Sequence, residues 1–598
     1  MPDTAPLTAT ARAAAWLADL ASALERRDVD AATNLLREDG YWRDIVAFTW
    51  DIVTLEGRRA IAAMLRERLA DTAPSAFQLD GEATEQGDLI EAFYRFETRV
   101  GRGRGVLRLK AGPEGHRGWI LLTTLQELKG HEERRGRTRD NGVVHGVVPG
   151  RETWSQRRAR EAAELGRTVQ PYCLVVGGGQ GGIALGARLK RLGVSTLIID
   201  QHPRPGDAWR KRYASLTLHD VVWYDHLPYI PFPDHWPVFS PKDQIADWLE
   251  SYVKVMELDW WGSTRCTGAV FDEATKTWTV TVERRNDDGS LDTLTLRPRQ
   301  LVLATGMSGR PNRPRIPGME LFQGEQHHSA DHPGGAPYKG KRCVVVGANT
   351  SAHDIAADLV EQGAASVTMV QRSSTLIVKS DTLMIGGNRL LYSEDALARG
   401  MTTDKADLMV ASWPVREMAE QHKPFWREVR RQDAELYRRL EAVGFQLDFG
   451  EDESGAYMKY LRRGAGFYFD VGACELVCDG TIALKSRVGV ERLTEDAVVL
   501  SDGTALPADL VVWATGYGPM HEWAAELISP EVAEKVGPCW GYGSATKYDP
   551  GPWEGEQRNM WKPTRQEALW FHGGNLAQSR HYGLYLALQI KAREAGLI

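Results

Sequence analysis

The residues best placed to support chemistry in this chain are glycines rather than acids or bases. Gly177-Gly178-Gly179-Gln180-Gly181-Gly182 is a G-x-G-x-x-G run with its three glycines at Gly177, Gly179 and Gly182. The first glycine permits a tight turn, the second lets backbone approach a pyrophosphate, and the third allows close helix–strand packing. The run works only between a strand and a helix, whose N-terminus offers unpaired N–H groups to phosphate. Both flanks are present. Tyr172–Val176 is a β-prone run, and Leu185, Leu189 and Leu192 follow at helical spacing up to a stop at Gly193. A second strand, Thr196–Ile199, ends on Asp200, 18 residues past Gly182, where a carboxylate accepts hydrogen bonds from ribose hydroxyls.

A degenerate copy follows the strand Arg342–Val346: Gly347-Ala348-Asn349-Thr350-Ser351-Ala352. Asn349 replaces the second glycine, a residue tolerant of left-handed backbone, and Ala352 the third. Ala352, Ile355 and Leu359 give one helix face, closed by Gly363, and the strand Ser366–Val370 runs into Arg372, 25 residues past Gly347. A guanidinium there suits a 2′-phosphate, a contact worth about 1.5–3 kcal/mol. That is roughly a tenfold to hundredfold preference for NADPH over NADH. The plainer alternative is a surface charge after a strand. Asp200 would repel the same phosphate. The first site (Gly177, Gly179, Gln180, Gly182, Asp200) is therefore assigned to FAD, and the second (Gly347, Asn349, Thr350, Ser351, Arg372) to NADPH. Leu301–Gly306 and Leu510–Tyr517 echo one another, each an apolar strand opening onto Ala-Thr-Gly, where small residues leave room for a backbone or a cofactor.

From about residue 170 to the end, these features resemble the flavin-containing monooxygenases and their Baeyer–Villiger relatives. Phe322-Gln323-Gly324-Glu325-Gln326-His327-His328 matches the F-x-G-x-x-x-H fingerprint, although His332 stands where the family places an aromatic residue. Trp209 after Gly206 resembles the G-x-x-W element near the flavin. Ala514-Thr515-Gly516-Tyr517 resembles the late A-T-G-Y motif, and Phe571-His572-Gly573-Gly574-Asn575 the segment that closes over the flavin. By this resemblance Trp209, Thr515, Gly516, Gly574 and Asn575 join the cofactor contacts. His219 stands where many amine and sulfide oxidisers carry asparagine and where the plant indole-3-pyruvate monooxygenases carry histidine; the core is similar to theirs up to Pro233. His219 is a candidate contact for flavin or nicotinamide, and a satisfied structural histidine is the other reading. His328 is carried with it as a catalytic candidate, though fixing the linker between the sites suits it better than moving a proton.

The resemblance implies that NADPH reduces FAD, that O2 adds at flavin C4a to give a peroxide or hydroperoxide, and that one oxygen enters a small organic substrate. Baeyer–Villiger oxidation of a ketone is the leading reaction. N- or S-oxygenation, oxidative decarboxylation of a 2-oxo acid, a peroxide-producing NADPH oxidase and a non-catalytic flavoprotein with an interaction module are the alternatives. A flavin disulfide reductase needs a redox C-x-x-C, and none of the six cysteines forms one. No cysteine–histidine set makes a metal site.

The elements that must hold these sites give an α/β fold: two Rossmann-like dinucleotide-binding domains, for FAD and NADPH, preceded by an α+β NTF2-like domain. Trp16, Leu20 and Leu24 mark a first helix, Ala31–Leu36 and Arg58–Leu69 two more, and Ile90–Val100, Gly105–Lys110 and Trp119–Leu128 antiparallel strands. Tyr41–Leu65 resembles the NTF2-like domains. Trp42, Asp44 and Trp50 could line its pocket, with a structural role favoured because one acid beside tryptophans is not a catalytic set. The expected boundaries are 1–130 for this unit, 131–169 for a surface linker, 170–335 and 481–598 for the FAD domain, and 336–480 for the NAD(P)H domain with a helical, charged insertion over Asp381–Tyr468. In that insertion Trp413, Phe425 and Trp426 could cap a substrate channel, core packing being the safer reading. The tail aromatics Trp540, Tyr542, Trp553, Trp561 and Trp570 are read as packing over the flavin. An NTF2-like unit ahead of such a core resembles the bacterial type II flavin-containing monooxygenases, which oxidise ketones and accept both NADH and NADPH. That implies a weaker coenzyme preference than Arg372 alone suggests.

A net charge of −7, 42% hydrophobic and 26% charged residues point to a globular protein without a nucleic-acid-binding surface. The start MPDTAPLTAT lacks a secretory leader, no apolar run has bilayer length, and sparse cysteines fit a reducing compartment. The expectation is a cytoplasmic protein with a small-molecule substrate and no membrane partner; a homodimer is compatible with it. Replacing Arg372 by alanine should raise the NADPH KM roughly tenfold more than the NADH KM in steady-state assays; equal effects would remove its role at the 2′-phosphate.

Overall fold

A computed structural model describes residues 8–113, 115–286, 288–386, 388–450, 452–539 and 557–598. The helix Ala9–Glu25 buries Trp16, Leu20 and Leu24 as its spacing requires. It packs on a seven-stranded sheet: β1 (Leu36–Ile45), β2 (Ile52–Glu56), β3 (Ser75–Leu79), β4 (Thr84–Gln86), β5 (Leu89–Glu97), β6 (Gly101–Gly112) and β7 (Gly115–Leu128). The order is β2-β1-β7-β6-β5-β3, with β4 also on β5. The expected order of helices first and antiparallel strands afterwards needs correction. β1 and β2 lie between the helices Val29–Asn34 and Gly57–Thr72, and β1 runs parallel to β7. These strands escaped the sequence pattern because β1 buries Arg43 and Asp44, which breaks the apolar–polar alternation.

Side chains fill the inside of this unit. A Cβ on Gly103 would lie 2.3 Å from the Phe96 ring, and one on Gly105 would lie 2.2 Å from the Leu122 carbonyl oxygen. The Asp44 carboxylate accepts from the backbone N–H groups of Phe48 and Thr49 and from the hydroxyls of Thr49 and Thr123. Trp42 Nε1 donates to the same Thr123 hydroxyl at 2.9 Å. A buried carboxylate so fully engaged is a structural group. The connection that follows runs exposed, with Val144 and Val147 74% and 98% accessible, and contains a helix over Trp154–Glu164 that its composition did not announce.

Two all-parallel five-stranded sheets form the rest of the frame. The first runs in the order Trp260–Trp261, Thr196–Ile199, Cys173–Val176, Gln300–Leu303, Leu569–Phe571. The second runs Glu325–His328, Leu510–Trp513, Arg342–Val346, Ser366–Gln371, Ile482–Ser486. Sheet membership corrects two boundaries. Glu325–His328, placed before residue 335 with the first site, and Ile482–Ser486 and Leu510–Trp513, placed after 481 with the same site, all pair within the second sheet. Short apolar strands carry no signal of which sheet takes them, since pairing between distant segments decides it.

The insertion is helical, with helices Thr403–Ala411 and Val415–Gln432 at its centre. Asp407 anchors it. Its two carboxylate oxygens accept from Arg580 Nη2 and Nε at 2.8 and 2.9 Å, and Arg580 Nη1 also donates to the carbonyls of Tyr224 and His226. Burial alone would raise the Asp407 carboxyl, but the Arg580 charge and its hydrogen bonds prevail and hold it below the ordinary range. Among the described residues no helix is long and apolar enough to cross a membrane. Asp407→Ala strands a buried guanidinium and should cost about 3–5 kcal/mol in denaturant unfolding; a loss under about 1 kcal/mol would show that the pair does not hold the insertion.

Candidate functional site

A single cavity of about 2130 Å³ runs between the two parallel sheets and under the helical insertion. A pocket for one small ligand occupies about 300–1,000 Å³, so there is room here for more than one. Both glycine loops open onto it. Gly177 has φ 109°, and a Cβ there would sit 2.3 Å from the Ala304 carbonyl oxygen. Gly347 repeats the arrangement: φ 136°, with a Cβ 2.4 Å from the Ala514 oxygen. The two Ala-Thr-Gly echoes are therefore the partners of the two loops, each giving its alanine carbonyl to the close crossing. A Cβ on Gly182 would collide with the Gly177 oxygen at 2.0 Å, the tight helix–strand contact expected of a third glycine.

The second position of each loop works through space. Gly179 is extended, φ −77° and ψ −167°, and a Cβ there would meet nothing within 4 Å. Its missing side chain leaves room for a ligand rather than for protein. Asn349 has φ −100° and ψ −170°, so its tolerance of left-handed backbone is not used here. Its amide oxygen accepts from Thr375 at 3.3 Å, so the side chain is folded into the loop.

Polar groups around the first loop fit FAD. Asp200 accepts from the Gly178 N–H at 2.7 Å and the His202 N–H at 2.8 Å, which holds the carboxylate at the loop mouth. Trp209 Nε1 donates to Gln180 at 3.2 Å, joining the G-x-x-W element to the first fingerprint. The Thr305 and Tyr517 hydroxyls are buried on the cavity wall and have no partner among the described residues, as expected of groups that a ligand satisfies. Gly574, at φ 99°, and Asn575 reach the same wall, where Asn575 caps the helix Leu576–Glu594 and donates to the Tyr224 hydroxyl at 3.1 Å. Thr515 donates to the Asn312 carbonyl at 2.6 Å, and Gly516 has φ 80°.

Around the second loop, Thr350 donates to the Phe467 carbonyl at 2.9 Å, while Ser351 and Arg372 line the cavity. Arg372 is exposed and pairs with no carboxylate among the described residues, leaving it open to a phosphate. Sequence reasoning missed Arg212. It also lines the cavity without an ion pair among the described residues, lying 5.8 Å from the Tyr517 ring centroid, and its Nε is buried without a partner. Its place three residues after Trp209 was the available signal.

The histidines divide. His219 lines the cavity, its ring edge-on to Phe469 at 4.9 Å and 79°. His328 is corrected as a proton-moving candidate. It is buried, its Nδ1 accepts from the Ala330 N–H, and its Nε2 lies 3.0 Å from the Gly516 carbonyl. An Nδ1 that accepts leaves Nε2–H as the donor, so both nitrogens are committed. Burial pushes its pKa down, which keeps it neutral. His328 ties the strand Glu325–His328 to the A-T-G-Y loop. His332, in the family's aromatic place, stacks on Tyr338 at 18° and contacts His327 at 2.9 Å.

Beyond His219 the cavity becomes aromatic. Trp413, Phe425 and Trp426 line it, and all three also pack in apolar clusters, so the favoured packing reading and the channel reading hold together. Two acids here were missed by the sequence reading. Asp220 and Asp225 line this part, and burial raises both carboxyls, Asp225 the more because it also faces the Asp220 charge. Of the tail aromatics, Trp570 donates to Gln300 at 2.8 Å and Trp561 stacks on Tyr582 at 4.3 Å. Both are core packing rather than cavity lining. Trp540, Tyr542 and Trp553 lie outside the described residues.

Comparisons with known proteins show what the chain is similar to. Residues 175–235 match the NAD(P)-binding Rossmann-like domain, and residues 273–386 match the pyridine nucleotide-disulphide oxidoreductase family. The indole-3-pyruvate monooxygenase YUCCA1 of Oryza sativa subsp. japonica is 26% identical over 384 residues, covering 63% of this chain and 85% of that protein. The probable indole-3-pyruvate monooxygenase YUCCA9 of Arabidopsis thaliana is 28% identical, covering 58% and 74%. Among solved structures, a flavin-containing monooxygenase from Stenotrophomonas maltophilia is 18% identical with a TM-score of 0.45, covering 71% of this chain and 98% of that one. An open structure of cyclohexanone monooxygenase is 19% identical with a TM-score of 0.45, covering 60% and 76%. The paired cradles define a flavoprotein oxidoreductase that works with FAD, NAD(P)H and oxygen. These matches make the chain similar to the flavin monooxygenases.

Gly179→Leu fills the space the first loop leaves open. The purified variant should be colourless, with FAD occupancy down at least about tenfold by absorbance. A yellow, fully loaded variant would remove FAD from this loop.

Proposed function

We propose that the protein is a Baeyer–Villiger monooxygenase for neutral ketones, converting ketone, O2, NAD(P)H and H⁺ to ester, water and NAD(P)⁺. In this reading Gly177, Gly179, Gln180, Gly182, Asp200 and Trp209 hold FAD, and Gly347, Asn349, Thr350, Ser351 and Arg372 hold the coenzyme. FAD, when bound, supplies hydride acceptance and oxygen activation. The chain binds, orients and keeps out water, which would otherwise discharge the activated oxygen before transfer. The first unit is read as NTF2-like, the arrangement of the bacterial type II members, with NADH accepted beside NADPH.

The observation that carries the ketone reading is how charge is distributed along the cavity. Its basic lining residues, Lys211, Arg212, Arg265 and Arg372, belong to the nucleotide end. Lys211 contacts His202 beside Asp200, Arg265 follows the Thr264 that donates to the Asp200 carbonyl, and Arg372 ends a strand of the second sheet. The aromatic end carries the acids Asp220 and Asp225 instead. Burial raises both carboxyls, so this end offers a substrate carboxylate no compensating cation, and an anion taken from water without a partner is costly. Oxidative decarboxylation of a 2-oxo acid is the second reading, supported by relatives whose names are indole-3-pyruvate monooxygenases. The charge pattern stands against it.

The test pairs 4-phenylbutan-2-one with indole-3-pyruvate under NADPH and air, following ester and indole-3-acetate by mass spectrometry. The ketone should show kcat/KM at least about tenfold higher. Faster turnover of the 2-oxo acid would overturn the ketone reading in favour of the second.

A further inference from the structure

One row of residues crosses the N-terminal sheet. Glu91 on β5 is paired with Arg108 on β6, Arg108 with Ile120 on β7, Ile120 with Tyr41 on β1, and Tyr41 with Glu56 on β2. Residues paired directly across neighbouring strands share a face, so these five form a single stripe. Four of the five meet one short piece of the insertion or hold the residue that does. Arg108 Nη1 donates to the Ser412 hydroxyl at 2.6 Å, Tyr41 donates to Glu417 at 2.9 Å, and Glu56 pairs with Arg416 at 2.8 Å. Glu91 holds Arg108 from the side at 2.7 Å.

At the centre of that piece is Trp413, which lines the aromatic end of the cavity. The Arg108 guanidinium lies 4.0 Å from its ring centroid, and Trp119 of β7 meets it edge-on at 5.9 Å and 77°. Arg108 is completely buried, so its stack on the indole is unscreened by water. The helix leading to Trp413, Thr403–Ala411, is pinned further along by the Asp407–Arg580 pair, and its Met409 and Val410 also face the cavity. The wall is therefore clamped at two points, one of them from the N-terminal unit. That unit's own interior, filled by Asp44 and its partners, offers no competing role for it.

We infer that Arg108 is a positioning residue for the substrate wall, holding Trp413 in place so that the N-terminal unit completes the oxygenation chamber. The inference rests on the proposed function only for the identity of the substrate. Any ligand of the aromatic end would depend on the same wall.

The test uses the full-length holoenzyme with Arg108→Met and Arg108→Lys. FAD content and the anaerobic rate of flavin reduction by NADPH should stay within about twofold of the parent, since Arg108 bonds to Glu91 and Ser412 and to neither glycine loop. With 4-phenylbutan-2-one, Arg108→Met should raise KM about tenfold and increase the share of NADPH oxidised to peroxide several-fold, with Arg108→Lys between the two. Backbone hydrogen–deuterium exchange over residues 403–417 should quicken by about fivefold or more in Arg108→Met and stay unchanged over 173–199. Unchanged exchange over 403–417 would overturn the inference, as would a fall in flavin reduction equal to the loss of coupling, which marks a merely structural residue. If the parent enzyme converts no ketone, the ketone reading fails, while the exchange arm still decides the role of Arg108. Should Arg108→Met prove insoluble, Ser412→Ala removes one acceptor and is read by the same exchange measurement.

Discussion

The architecture depends on a contact that only glycine permits. At Gly177 the backbone passes so close to the Ala304 carbonyl that any side chain would overlap it, and Gly347 passes Ala514 in the same way. Each crossing fixes the end of a parallel strand against the end of its neighbour, just where the following helix presents its N-terminus. The openings of both cradles are set by these crossings. Within the second sheet the His328 bond to Gly516 holds the A-T-G-Y loop to the neighbouring edge strand. The duplicated Ala-Thr-Gly segments are thus structural counterparts of the glycine loops, and alanine and glycine occur there for lack of space.

A second constraint governs the far end of the cavity. The insertion buries Leu436, Leu440 and Phe445 in the core of the second sheet and adds buried charge to that packing. Asp407 and Arg580 satisfy each other almost completely, with the spare guanidinium donor taken by two carbonyls. A buried pair of this kind adds little net stability over an apolar substitute, yet it specifies one arrangement, because any displacement leaves a charge unpaired. Arg108 acts similarly from the opposite side, held by Glu91 and Ser412 while it stacks on Trp413. Geometric definition of the chamber is what these groups contribute.

What could be read from the sequence was local. The strand–glycine–helix units at Gly177 and Gly347, the acid at Asp200 and the cation at Arg372 depend on spacings of fewer than thirty residues, and the structure brings them onto one cavity. Gly193 and Gly363 end their helices in left-handed backbone, as the periodicity required. What could not be read was set by distant pairing. Nothing in Glu325–His328 or Leu510–Trp513 declares which sheet will accept them. Asp220 and Asp225 look like ordinary loop acids until the fold buries them. The charges Arg43 and Asp44 disguised β1, and the stripe from Glu91 to Glu56 exists only once five strands have aligned. His328 carried a family fingerprint, but its bonding could be seen only in three dimensions.

The long exposed connection after residue 130 has a different meaning beside that stripe. Val144 and Val147 stand in solvent, and a chain so accessible is where a protease would cut first. The two bodies on either side also meet through Arg108, Tyr41, Glu56 and Trp119, and the connection is itself held to the second body at Glu133, Arg134 and Arg158. A cut there would leave a nicked but assembled molecule. Covalent continuity and structural unity are separate properties in this protein, and its two parts could be encoded as two chains that find each other.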